Sequence, residues 1–254
     1  MSAPLFTGQS LRVLLPEIVA MDLYRHGNIE PELTAVLLDA LRERMVFVDV
    51  GAQYGYYSLL ASSRVGPTGL VFAFEPGRRA LRLLVRNLAG LSNVRLERAA
   101  VWERAGRRTL YDFGARHSAL SSLFPRARVP AAESSRLAAE QYEVEALSLD
   151  DYFAPLGLIP DVVKVDAESS ELQVLKGMRR ILTEGSPLVT VEVGDYEGTA
   201  QELSRRCVDF MESLGYRCLE YEDGRLVPHT PRRTYAYGNL FFRKQILPQS
   251  HGGR

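Results

Sequence analysis

The sequence predicts an α/β fold built on a doubly wound, mostly parallel sheet with an antiparallel C-terminal strand. Three observations carry this. Short β-branched apolar runs carry an acid at or next to their ends, as in Val46-Phe47-Val48-Asp49-Val50 and Asp161-Val162-Val163-Lys164-Val165-Asp166. Such runs read as strands buried on both faces. They alternate with stretches of helical period, the order that a parallel sheet with crossover helices demands. The first run breaks into a glycine-punctuated turn, Gly51-Ala52-Gln53-Tyr54-Gly55, as a strand feeding a helix should.

The elements follow in order. Residues 1–45 read as an N-terminal helical cap: Leu33, Val36, Leu37, Ala40 and Leu41 recur at helical spacing, with Pro31 placed in the first turn. Residues 46–245 form the main domain. Strand 46–50, helix 56–64, strand 70–75 and helix 77–89 alternate, with Gly66-Pro67-Thr68-Gly69 as a turn. A third strand is expected at 94–96. Residues 103–150 interrupt the pattern as an inserted hairpin, with strands at 107–113 and 142–149 around a loop rich in Ala, Ser, Arg and Pro. Long loops in compact domains are functional or disordered, so a substrate lid and an unstructured excursion both stay open. A strand at 161–166, one helix from Ser169 to Leu182, a strand at 188–193 and a helix ended by Gly215 come next. Strands 216–222 and 238–243 close the chain as an antiparallel pair. Residues 246–254 read as a disordered tail.

Composition narrows the function classes. The chain has 254 residues, enough for a full core, and 31 acids balance 31 bases, which argues against a nucleic-acid surface. Among the bases only Lys164, Lys176 and Lys244 are lysines, and the arginine excess reads as genome composition. Cys207 and Cys218 are too few and too far apart for a disulfide framework or a zinc site, and read as small core residues. No basic, apolar leader and no stretch of membrane-spanning length is evident, so a soluble cytoplasmic protein is expected. A homo-oligomer is compatible with all of this.

The glycine turn and the second strand together suggest a nucleoside cofactor. In open α/β sheets ligands bind beyond the carboxyl ends of the strands, where strand order reverses. Glu75, at the end of the second strand, can accept hydrogen bonds from two ribose hydroxyls. A dinucleotide site calls for G-x-G-x-x-G, which brings backbone amides to a pyrophosphate. Here the spacing from Gly51 is G-x-x-x-G, Gln53 holds the middle position, and Asp49 precedes the first glycine. S-adenosylmethionine has no phosphate, but it carries an ammonium, a carboxylate and a sulfonium. That chemistry suits Asp49, the backbone amides of the turn and the Gln53 side chain, so Asp49, Gly51, Gln53 and Gly55 are expected to hold the amino acid end and Tyr54, inside the turn, to face the cofactor.

Asp49-Val50-Gly51-Ala52-Gln53-Tyr54-Gly55-Tyr56-Tyr57-Ser58, Phe74-Glu75-Pro76, Leu147-Ser148-Leu149-Asp150-Asp151 and Val163-Lys164-Val165-Asp166-Ala167-Glu168 occur in that order. Together these four motifs resemble FkbM-type methyltransferases over residues 28–242. The resemblance implies a class I, Rossmann-like methyltransferase fold, S-adenosylmethionine as cofactor, and O-methylation of a sugar or secondary metabolite. It also implies that Glu30, in Glu30-Pro31, lies near the cofactor's amino acid end. The family pattern has Asn at Gln53 and Gly at Ser169. The first departure keeps the amide; the second puts in doubt any role for the turn after Asp166 that needs a positive φ.

Methyl transfer to an alcohol needs alignment with the methyl carbon and removal of a proton. Asp166, His117 in the inserted loop, and His229 are the candidate assisting groups. Asp166 is also placed near the transferred methyl, while Ala100 lies toward the cofactor edge. Asp166 and Glu192, at adjacent strand ends, are candidate Mg²⁺ ligands that would lower the pKa of the acceptor hydroxyl. Trp102 either flanks the adenine or fills a gap beside the hairpin. A nicotinamide-dependent oxidoreductase is the rival enzyme, since Glu75 would serve its ribose equally. A catalytically inactive binding subunit is the non-enzymatic alternative. The partner expected is a small hydroxylated acceptor, with neither nucleic acid nor membrane.

Overall fold

The computed structural model describes residues 1–125, 139–195 and 202–245. The expected tail at 246–254 and much of the expected lid lie outside these residues.

The chain opens with β1 (Ser2–Pro4) and β2 (Ser10–Arg12), an antiparallel pair, followed by α1 (Ile18–His26) and α2 (Pro31–Ala40). The cap is therefore not purely helical as expected. Ala3 and Leu11 pair across the hairpin and are fully buried, a pattern of single alternating apolar residues too short to register as a strand in the sequence. The periodic stripe from Leu33 to Leu41 does form a helix, and Pro31 begins it.

The main sheet comprises β3 (Val46–Val50), β4 (Leu70–Phe74), β5 (Val94–Glu97), β9 (Val162–Val165), β10 (Leu188–Val193), β11 (Tyr216–Glu222), β12 (Arg225–Pro228) and β13 (Gly238–Lys244). Their order is β12-β11-β13-β10-β9-β3-β4-β5. From β10 to β5 neighbouring strands are parallel, and β13 runs antiparallel between β10 and β11. Strand order reverses between β3 and β9, which puts a ligand-binding crevice at their carboxyl ends.

Alternation along the strands feeds two cores. Phe47, Val71 and Ala73 pack with α1, α2, α3 (Tyr56–Val65) and α4 (Arg78–Asn87). Val48, Val50, Phe72 and Phe74 pack on the other face with α5 (Leu149–Phe153), α6 (Glu171–Lys176), α7 (Arg179–Glu184) and α8 (Leu203–Ser213). Each fully buried phenylalanine contributes about 1.5–3 kcal/mol. Cys207 and Cys218 lie in this second core, each 2% exposed, as small apolar fillers.

The single helix expected from Ser169 to Leu182 is two, α6 and α7, broken at Gly177. A Cβ there would sit 2.1 Å from the carbonyl oxygen of Trp102, so the chain passes too close for a side chain. Asp150 then caps α7 from a distance: its carboxylate accepts the amide hydrogens of Arg180 (2.7 Å) and Ile181 (3.0 Å). That long-range cap explains part of the Leu147–Asp151 motif. The insertion forms a separate small sheet, with β6 (Ala100–Val101), β7 (Gly106–Asp112) and β8 (Glu140–Leu147) in the order β6-β8-β7. Trp102 lies against Phe124, with ring centroids 5.9 Å apart, on the hairpin side. Among the described residues no helix is long and apolar enough to cross a membrane.

Two turns at the crevice use the left-handed region, one through a glycine and one through residues with side chains. Gly51 has φ 76, and a Cβ there would lie 1.8 Å from the Asp166 carbonyl oxygen. Ser169 adopts φ 77 although it carries a side chain, with Glu168 beside it at φ 47. The turn after Asp166 thus keeps the positive φ that the serine had put in doubt. Gly51→Ala should cost more than about 2 kcal/mol through clash and strain. Ser169→Gly should stabilise by about 0.5–1 kcal/mol by removing the Cβ penalty. Urea unfolding checks both, and a wild-type midpoint for Gly51→Ala would contradict the close approach.

Candidate active site

The first loop is shaped by three positive φ values, at Gly51 (76), Gln53 (48) and Gly55 (89). The middle position, where a dinucleotide motif has glycine, still needs the left-handed region, and Gln53 adopts it. The loop is fixed from β4: the amides of Gly51 and Ala52 both donate to the Phe74 carbonyl at 3.0 Å. Gly55 packs so closely that a Cβ would meet Leu84 at 2.7 Å, which seats the start of α3 on α4.

Glu75 closes the other side of the crevice. Its carboxylate accepts the amide hydrogens of Gln53 at 2.9 Å and Gly77 at 2.7 Å. Burial pushes its pKa up to about 7, only partly opposed by those two amides. Each oxygen retains a further lone pair for a ligand hydroxyl.

At the switch point lies a group that sequence reading had treated only as part of a strand, Lys164. It is 3% exposed, and its ammonium is 3.2 Å from Asp49 and 3.3 Å from Asp166. It also donates to the Gly51 carbonyl at 3.0 Å. Burial alone would lower its pKa, but Asp49, Asp166 and Glu30 outweigh burial and the net shift is upward. Asp49 additionally accepts from the Ser58 hydroxyl at 2.6 Å. The signal was available as a lysine inside an otherwise apolar strand, a residue almost never fully buried unless paired.

Glu30 joins this cluster from the cap, in a left-handed conformation with φ 41. It accepts from the Tyr57 hydroxyl at 2.9 Å and from the Asn239 amide at 2.6 Å. Burial first, then the nearby Asp166 carboxylate, raise its pKa. Asn239 is a second residue that sequence reading missed, because its partner lies at the opposite end of the chain.

These elements enclose a cavity of about 660 Å³, within the range of small-molecule sites. Of the expected site residues, Glu30, Gly51, Gln53, Tyr54, Glu75, Ala100, His117, Asp166 and Glu192 line it. Asp49 and Gly55 do not. Asp49 is fully buried behind the loop and engaged by Lys164 and Ser58, so in this structure it does not face a ligand. His229 is not at the cavity either: its ring bonds Glu220 at 3.2 Å and Tyr235 at 3.1 Å beyond β12. Asp166 and Glu192 are joined by Glu168, with one carboxylate oxygen from each within 4.8 Å of the others. Among the described residues, eight carboxylates line the cavity against two bases, Lys164 and Arg116. Such a surface attracts a cationic ligand and repels phosphate.

A doubly wound sheet with its last strand antiparallel, a glycine loop after the first strand of the domain and an acid after the second define a class I, S-adenosylmethionine-dependent methyltransferase. Residues 49–218 match the methyltransferase FkbM domain, and the chain belongs to that family. Among solved structures, methyltransferase FkbM from Methylobacillus flagellatus KT is 20% identical with a TM-score of 0.45. That comparison covers 90% of this chain, which spans only 56% of that protein's length. Precorrin-6y C5,15-methyltransferase from Geobacter metallireducens GS-15 is 17% identical (TM-score 0.47, covering 87% of this chain and 92% of that one). An S-adenosylmethionine-dependent O-methyltransferase from Thermotoga maritima is 13% identical (TM-score 0.43, 98% and 79%). No curated relative matches the sequence.

The Glu75 environment predicts a pH dependence. Ribose hydroxyls at Glu75 would donate to the ionised carboxylate, and burial places its pKa at about 7. Below that pH, cofactor binding must first expel a proton, so affinity should fall up to about tenfold per pH unit. Calorimetric titration from about pH 8 to pH 6 reads this. Glu75→Ala should bind weakly throughout, by about 3–6 kcal/mol for two charge-assisted bonds, and lose the slope. A flat wild-type profile would remove Glu75 from the ribose.

Proposed function

We propose that the protein transfers the methyl group of S-adenosylmethionine to a hydroxyl of a small metabolite or glycosyl group, in secondary metabolism or glycan modification. The observation that carries the reading is the acidic cavity at the strand-order reversal. Its surplus of carboxylates matches a ligand bearing an ammonium and a sulfonium, and opposes the pyrophosphate of a nicotinamide dinucleotide.

In this reading Gly51, Gln53, Tyr54 and Glu30 hold the amino acid end, Glu75 the ribose, and Ala100 borders the adenine. Asp166 lies near the methyl. When bound, S-adenosylmethionine would supply an electrophilic methyl carbon, whose transfer to the acceptor oxygen would break the carbon–sulfur bond and give a methyl ether, S-adenosylhomocysteine and a proton. His117 or Asp166 accepts that proton, both being on the cavity wall. Lys164 holds Asp166 in place by its ion pair.

Asp166, Glu168 and Glu192 form a set of oxygen ligands of the kind that Mg²⁺ takes. The ion would lower the pKa of the acceptor hydroxyl. Lys164 already neutralises part of Asp166, so a metal would have to share that carboxylate.

S-adenosylmethionine should raise the melting temperature and NAD should not, since only a ligand of the folded state stabilises it. A mass-spectrometric screen of host metabolites should then show the gain of one methylene. With His117 as the proton acceptor, His117→Ala should lower kcat about a hundredfold or more with S-adenosylmethionine affinity unchanged, whereas wild-type kcat in that variant would assign the proton to Asp166. Stabilisation by NAD alone would overturn the cofactor reading, and binding without turnover across a broad acceptor panel would favour a non-catalytic subunit. Loss of turnover in EDTA with recovery in Mg²⁺ would support the metal, and full activity in EDTA would remove it.

A further inference from the structure

The arginines of α4 are not spread over the surface as composition alone would leave them. Four of the ten residues of this helix are arginine, and its first turn holds Arg78 and Arg79 with no acid. Cations at a helix N-terminus oppose the helix dipole, so the arrangement is not one that helix stability selects. Arg78, Arg79, Arg82 and Arg86 join Arg98, which follows β5, around a groove of about 860 Å³ that is lined by no acid among the described residues. Arg79 is paired with Asp112 and Glu140, and Arg78 stacks on Tyr142 at 4.0 Å. Arg82, Arg86 and Arg98 are exposed and have no ion pair among the described residues. Leu81 and Leu83 also line the groove, an apolar neighbourhood that strengthens a charge interaction at its surface.

The groove and the acidic cavity share walls. In α4, Ala80 lines the cavity while Arg79 and Arg82 line the groove. In the 3-10 turn Ala115–Leu120, Ala115 lines the groove while Arg116 and His117 line the cavity. Opposite charges are thus sorted to the two sides of one partition: the cavity suits a cation and repels phosphate, and the groove does the reverse.

We propose that the groove holds a phosphate or diphosphate group of the methyl acceptor, leaving its hydroxylated part at the cavity mouth beside His117. This rests on the methyltransferase reading above. Planar guanidiniums bind phosphate oxygens bidentately. The stripe from Arg78 to Arg86 spans eight residues, about 12 Å, room for one or two phosphates and too short for the extended track that a nucleic-acid backbone needs.

Inorganic pyrophosphate is the probe, titrated calorimetrically into the full chain at low salt. Wild-type protein should bind it, with affinity falling as salt rises. Arg82→Ser/Arg86→Ser should bind at least about tenfold more weakly, a loss of one to two charge-assisted contacts, with S-adenosylmethionine affinity within about twofold of wild type. Arg98→Ser provides an independent variant on a different element. No binding by wild type, or unchanged binding in both variants, overturns the proposal. So does tight binding of duplex DNA or anionic vesicles that pyrophosphate cannot displace. Pyrophosphate binding is read without methyl transfer, so its failure leaves the methyltransferase reading standing. Loss of S-adenosylmethionine binding would instead strike that reading.

Discussion

The site depends on one buried ammonium. Lys164 sits inside a parallel strand where apolar side chains would otherwise be required, and it is held between Asp49 on β3 and Asp166 at the end of β9. It spans the two strands between which sheet order reverses, so the charge pair and the ligand crevice occupy the same place. Its bond to the Gly51 carbonyl ties the cofactor loop to the same point. Removing either partner of such a pair leaves an uncompensated charge in a low dielectric, which costs far more than the intact pair contributes. The ammonium also makes it tolerable to crowd Glu30, Asp49 and Asp166 together, and two of these, Glu30 and Asp166, line the cavity.

Around this point the backbone carries strain that ordinary folding would avoid. Glu30, Gln53 and Glu168 all have positive φ and all line the cavity. Strain clusters where function over-determines geometry. The Glu168–Ser169 turn is held from two directions: Glu171 accepts the amides of Ala167 and Ser169, and the Ser122 hydroxyl donates to the Glu168 carbonyl. The second contact ties the inserted segment to the strand end that carries Asp166. The hairpin, read from the sequence as an interruption, is thereby joined to the site.

Much of this was legible in the sequence because it is local. Apolar runs specified β3, β4, β9 and β10, the glycine spacing specified the loop, and Glu75 was recognisable as an acid one residue past a buried strand. The errors share a cause. The break at Gly177 is enforced by the Trp102 backbone, the cap on α7 comes from Asp150, and Glu30 is paired with Asn239 at the far end of the chain. None of these partners is visible to periodicity. Asp49 was read as a ligand group because an acid before a glycine loop suggests one, yet a buried lysine had first claim on it. The arginines were read as composition, and only folding shows five of them around one groove, three of them without an ion pair among the described residues.

The central claim is that Lys164 and Asp49 act as a unit, and a double-mutant cycle measures it most directly. Urea unfolding of Lys164→Met, Asp49→Asn and the combined variant supplies the terms. Lys164→Met alone should cost about 3–5 kcal/mol, because a buried carboxylate is left without its counter-charge. Adding Asp49→Asn should recover part of that loss, giving a coupling energy above about 1 kcal/mol. Additive losses, agreeing within about 0.5 kcal/mol, would contradict the account.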